Sequence, residues 1–394
     1  MNANMTSKER LLIALRNGKA DRVPVAPDIS NMIPCKLTGK PFWEIYMVQD
    51  PITGGGARAR LAEAYLAAVR YFGFDGFGSY ISLGPSKDDK KKFRREIIEK
   101  NESEIVAAEY FFTPDGVLSR EVVYPADNPP AFRRKLIKDF QRDFPVYLKY
   151  WFPDPASCDD REFQKWKGEM GDLGIAGMAI CPPGFQELVS IIDGGDKMSS
   201  LEAVTYAYYD YPDVFREYAL LYEDWAVKMT KRIIKAKPDF ILTGGSGTIT
   251  LQSPEIFREL GLPALKKITK LARAAGIPTL LHSCGKEKEL VKICAEETDL
   301  SCANPLEIPP MGDCDLKEIK EKYGSKIALM GNLHTTEVML KGSVKDVEEA
   351  AKKAIDDAGE NGGFILSTGD QCGRDTPEKN IFKMIEVAKT YGRY

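Results

Sequence analysis

The chain has 394 residues, 43% hydrophobic and 29% charged, with a formal net charge of −3. That is enough chain to bury an extensive core without disulfides, and the near-even charge gives no support to a nucleic-acid partner, which would call for a basic face. No stretch approaches the roughly 18–20 apolar residues of a membrane span, and the polar start MNANMTSKERLL lacks a signal-peptide core, so the sequence predicts a cytoplasmic protein.

Short apolar, β-rich runs alternate with helical patterns along most of the chain. The first candidate strand is Arg22–Ala26 (RVPVA), followed by Phe74–Tyr80 (FDGFGSY). The next interval, roughly residues 85–165, is too long for one crossover. It opens on the charged run KDDKKKFRR (Lys87–Arg95), read as a solvated face, and contains the turn Pro114-Asp115-Gly116 between two β-like segments, which predicts a hairpin. Candidate strands resume at Gly174–Ile180, Asp239–Thr243, Pro278–Ser283, Thr298–Ala303, Lys326–Met330 and Gly363–Ser367. Their continuous apolar character suits parallel strands buried on both faces. Helix signals fall between them: a long helical stretch over Asp213–Ala236, the cap Ser253-Pro254-Glu255, and the amphipathic run from Ser343 to Gly359. Eight strands alternating with helices predict an α/β fold, a (β/α)8 TIM barrel. The chain is read as a single TIM-barrel domain over residues 1–394, with residues 85–165 inserted between the second and third strands. No GxGxxG follows the first strand, which speaks against an open dinucleotide-binding sheet.

In a reducing compartment the eight cysteines are thiols and not a disulfide framework, most of them small buried hydrophobes. Only two histidines occur, His282 and His334, which makes the position of each informative. LLHSCGK places His282 and Cys284 two residues apart at the end of a predicted strand, where alternate side chains face the same way. The C-terminal strand ends form the active-site face of a barrel. An imidazole and a thiol there supply half of a tetrahedral zinc site, and a catalytic zinc keeps one position open. Cys372, just past the last strand, is the candidate third ligand, provided its loop carries it inward across the mouth. The remaining cysteines read as structural.

Other rim residues have both a functional and a structural reading. His334 and Asn332, near the end of the seventh strand, are the candidate catalytic groups, able to orient substrate or donate to a leaving oxygen; the alternatives are a helix cap and a turn. Gln186, Phe185, Tyr80 and Gly245 are candidate substrate-binding residues, with lid or core packing as the alternative for the aromatics. Phe42, Trp43 and Tyr46 share that ambiguity. Gly244-Gly245-Ser246-Gly247 lacks the lysine of a P-loop. Glu307 reads as a base or a surface residue.

KERLLIALRNGKADRVPV (Lys8–Val25) near the start, and MGNLHTTEVMLKGSVKDVEEAAKKAI and GGFILSTGDQCGRDTPEKNI near the end, resemble the uroporphyrinogen decarboxylase superfamily, specifically its corrinoid-dependent methyltransferase branch. The N-terminal motif marks the superfamily and not the reaction. The resemblance implies a barrel enzyme whose catalytic zinc is held by a His-x-Cys pair and a later cysteine, matched here by His282, Cys284 and Cys372. It also implies a separate partner protein that carries the cobalamin, since no DxHxxG run is present in this chain. In such enzymes zinc stabilises either an ether oxygen as Co(I) attacks the methyl group, or a thiolate that accepts the methyl group. The ligand set does not separate the two. The expectation is an O-demethylase acting on a small methoxylated, aromatic substrate; the alternatives are a methylcobalamin:thiol methyltransferase, a metal-free lyase, and a barrel with zinc as a structural staple. The decarboxylases carry an arginine-rich segment after the first strand, where this chain reads PDISNMIPCKLTGKPF with no arginine. Nucleic-acid and membrane partners are not expected; a homodimer is allowed.

Overall fold

A computed structural model describes residues 5–47, 57–84 and 92–394. Lys87–Lys91 of the charged run lie outside the described residues. The chain first folds into a helix over Ser7–Leu15, started by a capping box in which the Thr6 hydroxyl accepts from Glu9 N–H and Glu9 reaches back to Thr6. The short strand β1 (Gly76–Gly78) follows the helix Ala57–Phe72. Four antiparallel strands come next: β2 (Phe93–Lys100), β3 (Glu104–Thr113), β4 (Gly116–Pro125) and β5 (Ala131–Arg134). After two helices, the parallel strands follow: β6 (Gly174–Ala179), β7 (Phe240–Gly244), β8 (Thr279–His282), β9 (Cys302–Asn304), β10 (Ala328–Leu333) and β11 (Phe364–Thr368).

β1 and β6–β11 form a seven-stranded sheet in the order β1-β6-β7-β8-β9-β10-β11, with every pair parallel. Sequential parallel neighbours with helical crossovers make the sheet curl. The segment predicted as a first strand joins its two edges: Val25 forms a parallel bridge with Leu366 on β11, and its carbonyl accepts from Asp75 N–H, just before β1, at 2.8 Å. It does so through isolated bridges and not as a strand of its own.

Alternate residues of these strands point inward and form a separate buried cluster, among them Ile175, Phe240, Leu280, Cys302, Ala328, Met330 and Ile365. Leu11 and Leu15 of the first helix belong to this cluster, so that helix plugs one end of the curled sheet. Phe240 fills the middle, stacked on Phe77 with centroids 4.9 Å apart. Gly177 makes room for it, since a Cβ there would run into the Phe240 ring. Burying Phe240 completely contributes about 1.5–3 kcal/mol. The outward-facing residues pack under the helices, including the single long helix Pro212–Lys235. The predicted caps hold: Ser253 and Ser343 hydroxyls accept from Ile256 and Asp346 N–H.

The antiparallel sheet contains the expected hairpin, with Thr113 paired to Gly116 across a two-residue loop. Gly116 takes φ +143°, a conformation glycine adopts without strain. The charged run does not end as a solvated face. Arg95, on β2, bonds with the buried Glu109 at 2.7 Å, and Arg120 meets the same carboxylate at 2.7 Å. One face of this sheet packs on Phe42, Ile45 and Tyr46, which places those aromatics in packing and not at the mouth.

Candidate metal centre

β8 ends on His282, β9 on Asn304 and β11 on Thr368, so residues far apart in sequence meet at the C-terminal strand ends. His282 Nδ1 lies 2.8 Å from Asn304 Oδ1. The Asn304 amide nitrogen donates to Met330 O at 3.3 Å, which turns its oxygen toward the ring. Nδ1 therefore carries the hydrogen and Nε2 faces the cleft, the arrangement that orients metal-ligating histidines. Nε2 stands 3.8 Å from Asp370 Oδ1. Donor atoms of His282, Cys284 and Asp370 all fall within 4.8 Å of one another. Asp370 is held at φ +120°, a region that L residues occupy at a cost and that concentrates at functional sites.

The electrostatics of this pocket ask for a cation. Burial works against an imidazolium at His282, but Cys284, Asp28, Asn304 and Asp370 together overcome it and raise its pKa to about 10. Burial raises the Asp28 carboxyl, with Asp370 adding to it against His282 and Ser30. Glu307, which accepts a hydrogen bond from Gly285 N–H, is likewise raised, by burial and by Asp370. Glu287 is buried, accepts from Leu306 N–H at 2.6 Å, and leaves its Oε1 without a partner; burial lifts it well above the carboxylate range. Acids and a histidine that retain protons together form a set that a divalent ion would discharge. A nitrogen, a sulfur and a carboxylate oxygen suit zinc.

Cys372, the expected third ligand, is not in that close set. It is fully buried two residues beyond Asp370, its N–H donates to Asp28 O at 2.7 Å, and burial pushes its thiol up to about 12. Its loop thus comes inward across the mouth, with Asp370 foremost. Tyr80 lines a cleft of about 210 Å³ with Asp28, Tyr65, Phe77, His282 and Asn304; its hydroxyl donates to Ser30 O at 2.7 Å. Gln186 donates to Pro182 O at 2.9 Å, and a Cβ on Gly245 would stand 3.3 Å from its side chain, so these two are neighbours on one rim. Phe185 is 1% exposed and packs edge-on to Tyr208, within the core. His334 caps the turn that follows it, Nδ1 accepting from Thr336 and Glu337 N–H at 3.1 and 3.2 Å, which leaves only Nε2 for a substrate. Asn332 donates to Leu306 O at 3.1 Å and shares a small crevice with His334 and Glu307. Asp28, Asn304, Asp370 and Glu287 were not singled out from sequence. Single acids and amides at strand ends carry no spacing signal; only the common end of the sheet unites them.

A family model described as uroporphyrinogen decarboxylase (URO-D) matches residues 167–391. The methylcobamide:CoM methyltransferase MtbA of Methanosarcina acetivorans is 28% identical over 169 residues, 43% of this chain and 47% of that protein. A uroporphyrinogen decarboxylase of Wigglesworthia glossinidia brevipalpis is 35% identical over 72 residues, 18% of this chain and 19% of that protein. The chain thus spans about half the length of the first of these relatives, and less of the second. A solved methyltransferase from Methanosarcina mazei superposes with a TM-score of 0.63 at 18% identity, covering 98% of this chain and 99% of that one, which is a likeness of fold.

Proposed function

The chain belongs to the uroporphyrinogen decarboxylase (URO-D) family, and from that premise we propose that it is a zinc-dependent methyltransferase working with the cobalamin of a partner corrinoid protein. The observation that carries this reading is the His282–Cys284–Asp370 cluster at the strand ends. The decarboxylases that the family is named for hold substrate carboxylates with an arginine-rich segment, and this chain has no arginine over Pro27–Phe42. His282 and Cys284 hold the metal, and the loop from Asp370 to Cys372 supplies the third ligand. Asp370 is already in reach; Cys372 is the residue that matches the family's zinc cysteine. When bound, the zinc supplies Lewis-acid stabilisation of a substrate oxygen or sulfur at its open position. Asn304 holds the His282 ring, the hydrophobic walls exclude water, and Asn332 and His334 Nε2, which line a separate small crevice with Glu307, are the groups that would hold a polar part of the substrate.

The substrate we propose is a small methoxylated aromatic compound. Tyr65, Phe77 and Tyr80 wall a cleft beside His282, and flat apolar walls with a few polar groups suit one ring. The second reading, methyl transfer to a thiol, is favoured by the likeness to the methylcobamide:CoM methyltransferase MtbA. Residues 1–394 are taken as one domain, with residues 85–165 inserted between β1 and β6. No described helix is long and apolar enough to cross a membrane, in keeping with the proposed cytoplasmic location.

The test is zinc content after anaerobic purification, followed by two assays that monitor the cobalamin spectrum. One supplies Co(I) corrinoid and methoxylated aromatics; the other supplies methylcobalamin and thiols. One zinc per chain, lost in Cys284→Ala, together with corrinoid methylation by an ether, supports the first reading. Demethylation by thiols alone supports the second. A protein with no zinc and no affinity for added zinc overturns both.

A further inference from the structure

Outside the curled sheet, a cavity of about 570 Å³ opens between the antiparallel strands, the end of β6 and the helix Pro212–Lys235. It shares no lining residue with the cleft beside His282. Its walls are aromatic. Phe152, Tyr222 and Trp225 contact one another, with ring centroids 5.2–5.4 Å apart, and Phe111 and Trp151 pack edge to face at 5.5 Å. The Trp225 indole N–H is occupied by Pro153 O at 2.9 Å, so the ring is fixed.

Into this box projects the carboxyl of Glu187. Tyr147 OH donates to it at 3.0 Å and Tyr218 OH at 3.3 Å, with Tyr222 also bonded to it. Those hydroxyls and burial are what act on it, and no arginine or lysine is among them. Two lysines are on the cavity wall: Lys149 is engaged by Asp115 at 2.6 Å, and Lys92 is exposed to solvent, and neither acts on Glu187. A carboxylate withdrawn from water costs several kcal/mol unless a counter-charge is near. Here the donors are in place, and among the described residues no counter-charge acts on Glu187. Glu187 nevertheless remains in contact with the cavity and is not sealed in the core.

We propose that this cavity is a binding site for an organic cation of the alkylammonium class. The aromatic faces attract a poorly hydrated cation through their quadrupoles, and Glu187 supplies the balancing charge. A metal ion fits poorly, because it needs several oxygen or nitrogen ligands at once and the walls are mostly carbon. A volume of about 570 Å³ suits a small molecule. The same short helix, Phe185–Ile191, carries Gln186 toward Gly245 and Glu187 into the cavity.

The test uses the full chain, without corrinoid, and choline as probe against its uncharged isostere 3,3-dimethyl-1-butanol. Trp151 and Trp225 line the cavity, so tryptophan fluorescence reports occupancy, with calorimetry as an independent readout. Choline is expected to bind saturably and at least about tenfold more tightly than the isostere. Glu187→Gln is expected to remove that preference while leaving the isostere unchanged, with folding checked by circular dichroism. Equal binding of choline and isostere to the unaltered protein, or no binding of choline, overturns the proposal. So does a folded Glu187→Gln that keeps its preference for choline.

Discussion

Glu187 also predicts how stability depends on pH. Burial raises its pKa from 4.5 to about 7 in the folded protein, against the pull of Tyr222, Tyr147 and Tyr218. A carboxyl whose folded pKa is raised holds its proton more tightly in the native state, so stability falls as pH rises through the window from 4.5 to about 7. Each unit of difference is worth about 1.4 kcal/mol, so the whole window carries about 3 kcal/mol. Glu187→Gln keeps the shape and several of the hydrogen bonds but cannot ionise. Relative to the natural chain, the variant should therefore gain about 3 kcal/mol between acid and neutral pH and stay level above it. Urea unfolding of both proteins at matched pH values measures this. The comparison cancels every other titrating group, and it needs only the difference between the two curves. Parallel curves across that window would refute the premise that this carboxyl is buried without a counter-ion.

The metal ligands give a sharper set. Loss of one of a few ligands should weaken zinc by roughly 10²–10³-fold, so Cys284→Ala should purify without metal. Cobalt substitution separates the contenders on the loop: if Cys372 is a ligand, Cys372→Ala halves the thiolate-to-cobalt absorption, and if Asp370 is, Asp370→Asn loses affinity with that absorption intact. Asn304→Ala frees the His282 ring and should cost about 10–100-fold in zinc affinity without changing stoichiometry at saturation; an unchanged affinity would refute the orienting role. Asp75, fully buried and bonded to Arg10 at 2.7 Å and Arg22 at 3.0 Å, is a stability determinant. Asp75→Ala should destabilise by about 3–5 kcal/mol, read as a drop in urea midpoint, while a small change would mean that the arginines find other partners.

The seven strands of the parallel sheet were legible because each is a short apolar run bounded by turn residues, and burial on both faces leaves just that mark. Arg22–Ala26 carries the same mark but forms only bridges, since Pro24 removes a backbone donor from the ladder. In the intervening segment only the hairpin could be read. β2 is FRREIIEK and β5 is AFRR, edge-like strands whose charged side chains face solvent or the Glu109 pair and mask any alternation. The site was half legible. His282 and Cys284 announce themselves by spacing on one strand. Asp28, Asn304 and Asp370 come from three other strand ends, and only the curl of the sheet makes them neighbours.

The two ends of the curled sheet also explain why one motif names a family and another bears on a reaction. Lys8–Val25 marks the superfamily and not the reaction, and its polar residues are engaged in structure. Arg10 bonds with Asp21 at 2.6 Å and with Asp75, Lys8 with Asp239 at 2.9 Å, and Asp75 accepts from Val25 N–H at 2.8 Å. These contacts pin the plugging helix and the joining segment to the N-terminal ends of β1 and β7. Their replacement would open the barrel base, whatever chemistry the other end performs. That end is free to change: apart from His282, the last residue of β8, the proposed ligands sit on loops after the strands, where substituting one side chain leaves the ladder intact. The family model matches residues 167–391, which leaves Lys8–Val25 outside and takes in both the later strands and the rim. The positions we propose as discriminating for methyl transfer are His282, Cys284 and the Asp370–Cys372 loop, and exchanging that loop should alter metal affinity while leaving stability within about 1 kcal/mol of the natural chain.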